Sequence, residues 1–306
     1  LWPDEYSGSY QAAAGTTIEV VEVRDDGSNE TLGTAKIESD GEFSICIESR
    51  QNTDTRTVFV RYLPKGDWGA VYSSYDPNAD DNPLAKSTSK SYTFTSGEEA
   101  VELGSSSNAF ADSVVLPESN QTAIHIARVV YYASQFTENN TDFTTEFLHI
   151  GLESSTDLAT YWRYGDWVDI KPSSNDISPE VIYHEYGHHV LFSDGVYSDD
   201  VPGGSLSVDL PNNCHSSGTH SNEEFAFGEG WAEYYAAYLG SYSDSGSPTD
   251  YHEKESGPCP PYGESGVMDG HIVEGQVTDI LYTLSNEDNQ DTGTYVSFSH
   301  ILTTSP

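Results

Sequence analysis

The sequence predicts an α+β fold in two parts, an N-terminal β-sandwich followed by a domain of mixed helices and strands. Three observations predict it. Short β-rich runs separated by Asp-Gly turns fill residues 1–105. Helical apolar spacing begins after residue 106 and recurs in four segments. Finally, 306 residues suffice for two domains of roughly 100–200 residues each. We therefore expect domains at residues 1–105 and 106–306.

The first domain is predicted from its strand and turn pattern. Residues 17–23 are rich in β-branched side chains, and a turn at Asp25-Asp26-Gly27 follows them. Residues 32–37, 43–47 and 58–62 continue the series. Apolar residues alternate at positions 43, 45 and 47, which is typical of a half-buried strand. Short strands at this spacing predict a sandwich. Within the third run we expect Cys46 to be a buried thiol.

The second domain is predicted from apolar periodicity. Helical spacing occurs at residues 121–136, 178–193, 224–240 and 270–284, and short strand-like runs occupy residues 147–150 and 167–170. Helices interspersed with a few strands predict an α+β domain.

Charge excludes two classes of partner. The chain carries 50 Asp plus Glu against 12 Lys plus Arg, a formal net charge of −38. Such a chain has no basic footprint for nucleic acid, and it would be repelled by an anionic membrane surface. No run reaches the ~18 apolar residues of a membrane-spanning helix. Because salt would screen the self-repulsion, we favour a halophilic source over an ordinary acidic surface.

Several features favour an extracellular or cell-surface location. N-glycosylation sequons stand at Asn29, Asn120 and Asn139, a motif used in exported proteins. The chain begins at Leu1 and has one methionine, Met268, so we expect a processed or truncated product.

The sequence leaves open one possible disulfide and one possible calcium site. Cys214 and Cys259 both lie in polar loops and are candidates for a disulfide. Residues 76–92 contain a dense set of carboxylates that suits Ca²⁺, although it lacks the ordered ligand spacing of a calcium loop. A solvated loop is the favoured interpretation there, with calcium as the weaker one.

The segment His184-Glu185-Tyr186-Gly187-His188 carries the clearest chemical signal. Histidines at i and i+4 share one helix face, so both imidazoles can reach one tetrahedral Zn²⁺. Glu185 can then take a proton from the water that the metal activates. Chance would supply on the order of 0.03 such HExxH matches in this composition. Ser178-Pro179-Glu180 is a fitting N-cap and first turn, and Ile182 is expected to anchor the helix in the core.

A catalytic zinc needs a third protein ligand, and two glutamates downstream are candidates. Glu229 and Glu233 stand four apart in a helical pattern and face the same way. One can ligate the metal while the other hydrogen-bonds a ligand imidazole. Glutamates at this spacing usually mark a solvated face, but here they stand among aromatic residues, and buried carboxylates need partners. These aromatics are Trp231, Tyr234, Tyr235 and Tyr238.

These motifs resemble the gluzincin metallopeptidases, the thermolysin-like and fungalysin-like families, in which HExxH is followed by ExxxD or similar. The resemblance rests on "HEYGHHV" and "EGWAEYYA" and implies a zincin-like domain. It implies that Glu229 is the third ligand and that Glu233, where Asp is more common, fills the outer-shell position. Asp269-Gly270-His271 and the residues after it are similar to the stretch in which a histidine stabilises the oxyanion, which gives His271 that role. The run "LGTAKIESDGEFSICI" resembles transthyretin-like or carboxypeptidase-regulatory-like sandwiches.

The sequence contains other histidines and one other possible third ligand. Asp194 would be the third ligand in a snapalysin-like pattern, but Leu191 stands where the metzincin glycine would turn the chain back. His189 lies about 100° around the helix from His188 and is expected to be packing or surface. We expect His215 and His220 to be solvated in a polar loop. We expect His125 and His300 to lie in the core.

The sequence thus predicts a secreted zinc peptidase that hydrolyses peptide bonds in a peptide or protein substrate. Its ligands are His184, His188 and Glu229, Glu185 is the general base, and His271 stabilises the oxyanion. The rival interpretation is a surface or adhesion protein, part of a larger surface assembly, in which the peptidase-like domain is structural or inactive.

Overall fold

The computed structural model places enough of the chain to define its sheets and helices. It describes residues 2–3, 10–47, 53–72, 94–96, 99–104, 121–141, 145–152, 159–162, 167–170, 178–193, 223–243 and 274–285. Two compact units emerge, and the division falls inside a helix. One unit takes residues 1–131 and 149–153, and the other takes residues 132–148 and 154–306.

An antiparallel sheet organises the first unit. Its strands run in the order β4 (Asn29–Lys36), β3 (Thr17–Val23), β5 (Thr53–Leu63) and β8 (Phe94–Thr95), and β9 (Glu99–Gly104) also pairs with β5. The tight turn between β3 and β4 uses Gly27 at a φ of 79°, a conformation that glycine adopts without steric cost. This sheet contains three of the predicted runs.

Shorter strands complete the first unit. They are β1 (Trp2–Pro3), β2 (Tyr10–Gln11), β6 (Lys65–Gly66), β7 (Gly69–Tyr72) and β10 (Leu148–Gly151). A cluster of buried residues lies against the main sheet, and the start of helix α1 (Gln121–Asn140) contributes to it. The cluster consists of Ala13, Ile18, Ile37, Val60, Tyr62 and Ile124.

Residues 43–47 differ from the prediction. They form no strand, and Cys46 is an exposed free cysteine rather than a buried thiol. The alternation itself explains the error, since Phe43 and Ile45 pack against the core whereas Cys46, which follows Ile45, lies on the opposite, exposed side. Gly33 leaves room for this packing, because a Cβ there would lie 2.5 Å from the Ile45 side chain.

The second unit is built on three helices that pack in sequence. They are α2 (Pro179–Ser193), α3 (Glu223–Ser243) and α4 (Glu274–Ser285), with α2 packed on α3 and α3 on α4. The antiparallel hairpin of β11 (Ala159–Trp162) and β12 (Trp167–Ile170) belongs here too, and α2 also packs against β11. The C-terminal part of α1 completes the unit.

The α+β class and all four predicted helices are confirmed. The boundary at 105/106 stays a prediction, because residues 105–120 are outside the described set. So do the sandwich architecture, the candidate calcium loop and the pairing of Cys214 with Cys259. No helix in the described residues is long and apolar enough to cross a membrane.

Candidate metal centre

Helix α2 carries the HExxH segment into the interior. It begins at Pro179, whose ring suits the first helical position, and Glu180 places a negative charge in the first turn, where the helix dipole favours it. All ten residues from 182 to 191 are buried, and Ile182 is 2% exposed as predicted. The polar side chains of this helix therefore face protein rather than water.

The two histidines of the motif face each other on one side of α2. Their Nε2 atoms lie 3.1 Å apart. The ring centroids are separated by 4.8 Å, and the rings are nearly perpendicular, at 81°. One helical turn therefore brings both imidazole nitrogens to one point.

Helix α3 brings a carboxylate to the same point. The Glu229 Oε2 atom lies 3.3 Å from His184 Nε2 and 3.2 Å from His188 Nε2. All three side chains are buried, with residue exposures of 4%, 5% and 7% for His184, His188 and Glu229. Among the described residues, these three form the group of possible metal ligands.

The spacing of these atoms fits zinc. Zinc bonds to histidine nitrogen at about 2.0–2.1 Å, and in a tetrahedron that bond length separates neighbouring ligand atoms by about 3.3 Å. The three distances of 3.1, 3.2 and 3.3 Å are close to this value. Two imidazole nitrogens and a carboxylate oxygen that converge in a dry interior are a donor set that can hold a cation. The donor set and its spacing therefore suit a divalent cation.

Gly187 explains how α3 comes close enough to supply Glu229. A Cβ at Gly187 would lie 3.1 Å from Ala232 Cα and 3.1 Å from Tyr235 Cβ. The two helices therefore approach each other closely where Gly187, which has no side chain, faces α3. The indole Nε1 of Trp231 donates a hydrogen bond to Gly187 O at 2.9 Å. This bond fixes one helix against the other within three residues of each ligand.

The two remaining glutamates of the predicted site occupy different surroundings. Glu185 is 4% exposed and follows the first ligand on α2. Glu233 is partly buried, and its Oε2 atom lies 3.0 Å from the Thr278 hydroxyl oxygen on α4. The same hydroxyl lies 3.0 Å from Gly230 O. Helix α4 thus contacts the turn of α3 that begins with Glu229.

Aromatic and hydroxyl groups surround the ligand helices. The Tyr186 hydroxyl donates to Thr145 Oγ1 at 3.0 Å, and burial raises the pKa of Tyr186 to about 12. Burial also raises the pKa of Tyr235, whose hydroxyl lies 2.7 Å from Thr137 Oγ1. His189 is fully buried, and its Nε2 atom lies 2.9 Å from Glu146 O. It was expected either to pack in the interior or to lie on the surface, and interior packing is confirmed.

Some predicted site residues lie outside the described residues. His271 precedes α4 by three positions and is not among them, nor are Asp194, His215, His220 and His300. Of the expected core histidines, His125 is described and is half-buried in α1.

The fold and the geometry together define a class of protein. A buried HExxH helix and a second helix that delivers a glutamate bring together three side chains that could hold a metal ion. Residues 132–304 match the mycolysin C-terminal domain family, and because this match covers more than half of the chain, the chain belongs to that family. The family points to a peptidase of the thermolysin-like kind, and its members are zinc metallopeptidases. Neither the curated proteins nor the solved structures contain a match.

Three contributors to the site were not found from the sequence. The motif gives Gly187 no separate role, the pattern marks Trp231 only as an aromatic neighbour of Glu229, and Thr278 belongs to no motif. A small residue between two ligand histidines was the available signal for close helix packing. Nothing in the spacing of α4 pointed to Thr278.

Proposed function

We propose that this protein is a secreted zinc peptidase that hydrolyses peptide bonds in peptide or protein substrates. The observation that carries the proposal is the triangle of His184 Nε2, His188 Nε2 and Glu229 Oε2, with sides of 3.1–3.3 Å. Membership of the mycolysin C-terminal domain family supports a peptidase in particular.

Each residue of the centre has a chemical role in this proposal. His184, His188 and Glu229 would hold the ion, and a zinc ion bound there would supply Lewis-acid activation of water and of the scissile carbonyl. Glu185 accepts a proton from the attacking water and later delivers it to the leaving amine. His271 donates to the oxyanion of the tetrahedral intermediate, which lowers the barrier further. Glu233 fills the outer shell of the metal centre.

The setting of the enzyme is part of the proposal. The sequons at Asn29 and Asn139 are both on exposed residues, as glycosylation in an exported protein requires. The charge of −38 fits a concentrated-salt environment outside the cell. We assign the first domain as an accessory transthyretin-like or carboxypeptidase-regulatory-like sandwich. For residues 76–92 a solvated loop is the favoured interpretation and a Ca²⁺ site the weaker one.

The decisive experiment compares Glu185→Gln with the wild type in molar salt. Peptide cleavage should fall on the order of 10²–10⁴-fold, because the general base is lost while the ligands remain. Zinc content should stay at the wild-type level. Glu180→Gln, in the first turn of the same helix, is the matched control and should retain activity.

Chelation and ligand removal complete this test. Treatment with a chelator should abolish cleavage, added Zn²⁺ should restore it, and His184→Ala should lose the metal. Cleavage that survives both chelation and Glu185→Gln would refute the mechanism. Retained zinc without cleavage of any peptide would instead favour a surface or adhesion role for the chain.

A further inference from the structure

We propose that Thr278 is a positioning residue of the metal centre, which holds the α3 turn between Glu229 and Glu233 in the orientation that metal binding needs. This inference rests on the proposed function, since it takes His184, His188 and Glu229 as zinc ligands. The role is carried by a single hydroxyl group on a neighbouring helix.

The direction of this hydroxyl is the first argument. The Thr278 Oγ1 atom lies 3.0 Å from Gly230 O and 3.0 Å from Glu233 Oε2, both on α3. The residue is 3% exposed, so water competes little for these contacts. The single hydroxyl proton can be donated to Gly230 O or to Glu233 Oε2, and both acceptors lie in the same turn of α3.

The location of the two acceptors is the second argument. Gly230 directly follows Glu229 in the chain, and Glu233 stands one turn later on the same face. A bond to the Gly230 carbonyl restrains rotation of α3 about its axis at the ligand residue. A bond to Glu233 restrains the carboxylate that we place in the outer shell. Outer-shell partners of this kind typically change metal affinity 10–100-fold when they are removed.

Charge composition is the third argument. Residues 172–306 contain 22 Asp plus Glu but only one Lys and no Arg, the lysine being Lys254. Because this segment carries a single cation of its own, a neutral donor such as the Thr278 hydroxyl is the kind of partner that it can offer to Glu233. A buried hydroxyl that donates to a carboxylate makes a charge-assisted bond, which is roughly twice as strong as a neutral one.

The experiment compares Thr278→Val with Thr278→Ser in the full chain. Valine keeps the shape and removes the hydroxyl, whereas serine keeps the hydroxyl. Zinc affinity, measured by competition with a chromophoric chelator, should fall about 10–100-fold in the valine variant and stay within a few-fold of wild type in the serine variant. The kcat should fall in Thr278→Val with serine restoring it.

Thr137→Val is the matched control for a merely structural effect. It also removes a buried threonine hydroxyl that contacts α3, here at Tyr235 rather than beside the ligand. It should lower the melting temperature of the metal-free protein and leave zinc affinity unchanged. If Thr278→Val does not fold, Thr278→Ala is measured in its place.

Two results would overturn the inference, and they are distinguishable from failure of the proposed function. Wild-type zinc affinity in Thr278→Val and Thr278→Ala would refute the positioning role alone. An equal loss of affinity in Thr137→Val would also refute it, because the effect would then be general destabilisation. A wild-type protein that binds zinc no better than His184→Ala would overturn the metal centre itself.

Discussion

At the scale of single residues, the centre is defined by which polar groups are buried and what faces them. His184, His188 and Glu229 are almost fully buried and converge within 3.1–3.3 Å. Tyr186, which lies between His184 and His188 in α2, is also buried, but its hydroxyl donates a hydrogen bond to Thr145. Burial thus gathers the candidate metal ligands from one set of side chains and keeps the neighbouring phenol neutral.

The buried phenol predicts a pH dependence. The pKa of Tyr186 is raised to about 12, while tyrosine in an unfolded chain has a pKa of about 10. The unfolded chain therefore loses this proton first. The stabilising contribution is complete below pH 10 and is lost as pH rises towards 12, by up to about 1.4 kcal/mol per pH unit.

Urea unfolding of Tyr186→Phe measures this contribution. Near pH 8 the variant should be about 1 kcal/mol less stable than wild type, since it loses the bond to Thr145. The difference in unfolding free energy between wild type and Tyr186→Phe should shrink as pH rises above 10, and at higher pH the variant should become the more stable of the two. Tyr132→Phe, at a residue 39% exposed, is the control. A difference that stays constant from pH 8 to pH 11.5 would contradict the assignment.

At the scale of secondary structure, the geometry of the site depends on the contact between α2 and α3. Gly187 removes the side chain that would hold the helices apart, and Trp231 bonds across the contact. Because the ligands come from both helices, the separation of the helices sets the distance from Glu229 to the histidine pair. Packing and coordination are therefore coupled.

Gly187→Ala tests this coupling. The new methyl group would lie 3.1 Å from the Ala232 backbone, which cannot move as a flexible side chain would. Such overpacking costs roughly 1–3 kcal/mol, more than the helix propensity of up to about 1 kcal/mol that alanine gains over glycine. We expect a lower melting temperature together with weaker zinc binding, measured by calorimetry and chelator competition. Unchanged zinc affinity in a destabilised variant would show that packing and coordination are independent.

Sequence patterns predicted the elements better than their contacts. The shared face of His184 and His188 followed from their spacing of four residues, and the expected anchoring of α2 in the core through Ile182 is confirmed. The strand expected at residues 43–47 and the buried Cys46 were wrong, because alternation shows which residues share a face but not whether a backbone partner exists. The contact from Thr278 to Glu233 joins residues 45 positions apart, which no local pattern encodes.

At the scale of the whole molecule, the two parts of the sequence differ in charge balance. Of the 12 Lys plus Arg residues, 11 precede residue 172. In the first unit, some of them pair across the sheet, as Arg61 does with Glu19 at 3.4 Å and Arg56 with Glu22 at 3.7 Å. The region that contains α2, α3 and α4 has a net charge of −21 from its sequence. Self-repulsion is therefore expected to be strongest around the metal centre.

This imbalance predicts stabilisation by salt. Raising NaCl from 0.1 M to 1 M shortens the Debye length from about 10 Å to about 3 Å, which screens repulsion between exposed carboxylates. The melting temperature of the zinc-loaded protein should therefore rise over this range. Sucrose at matched osmolality is the control for preferential exclusion. A melting temperature that is flat or falls with NaCl would contradict the proposed halophilic adaptation.

The indole bond across the helices also gives the protein an internal optical probe. Trp231 is 1% exposed, stands two residues from Glu229 and donates to the carbonyl of Gly187. Indole emission depends on the polarity and hydrogen bonding around the ring, so its wavelength should report whether α2 and α3 are in contact. The difference between the emission of wild type and of Trp231→Phe isolates this residue from the other four tryptophans. Assembly of the ligand helices can then be followed in time without a label.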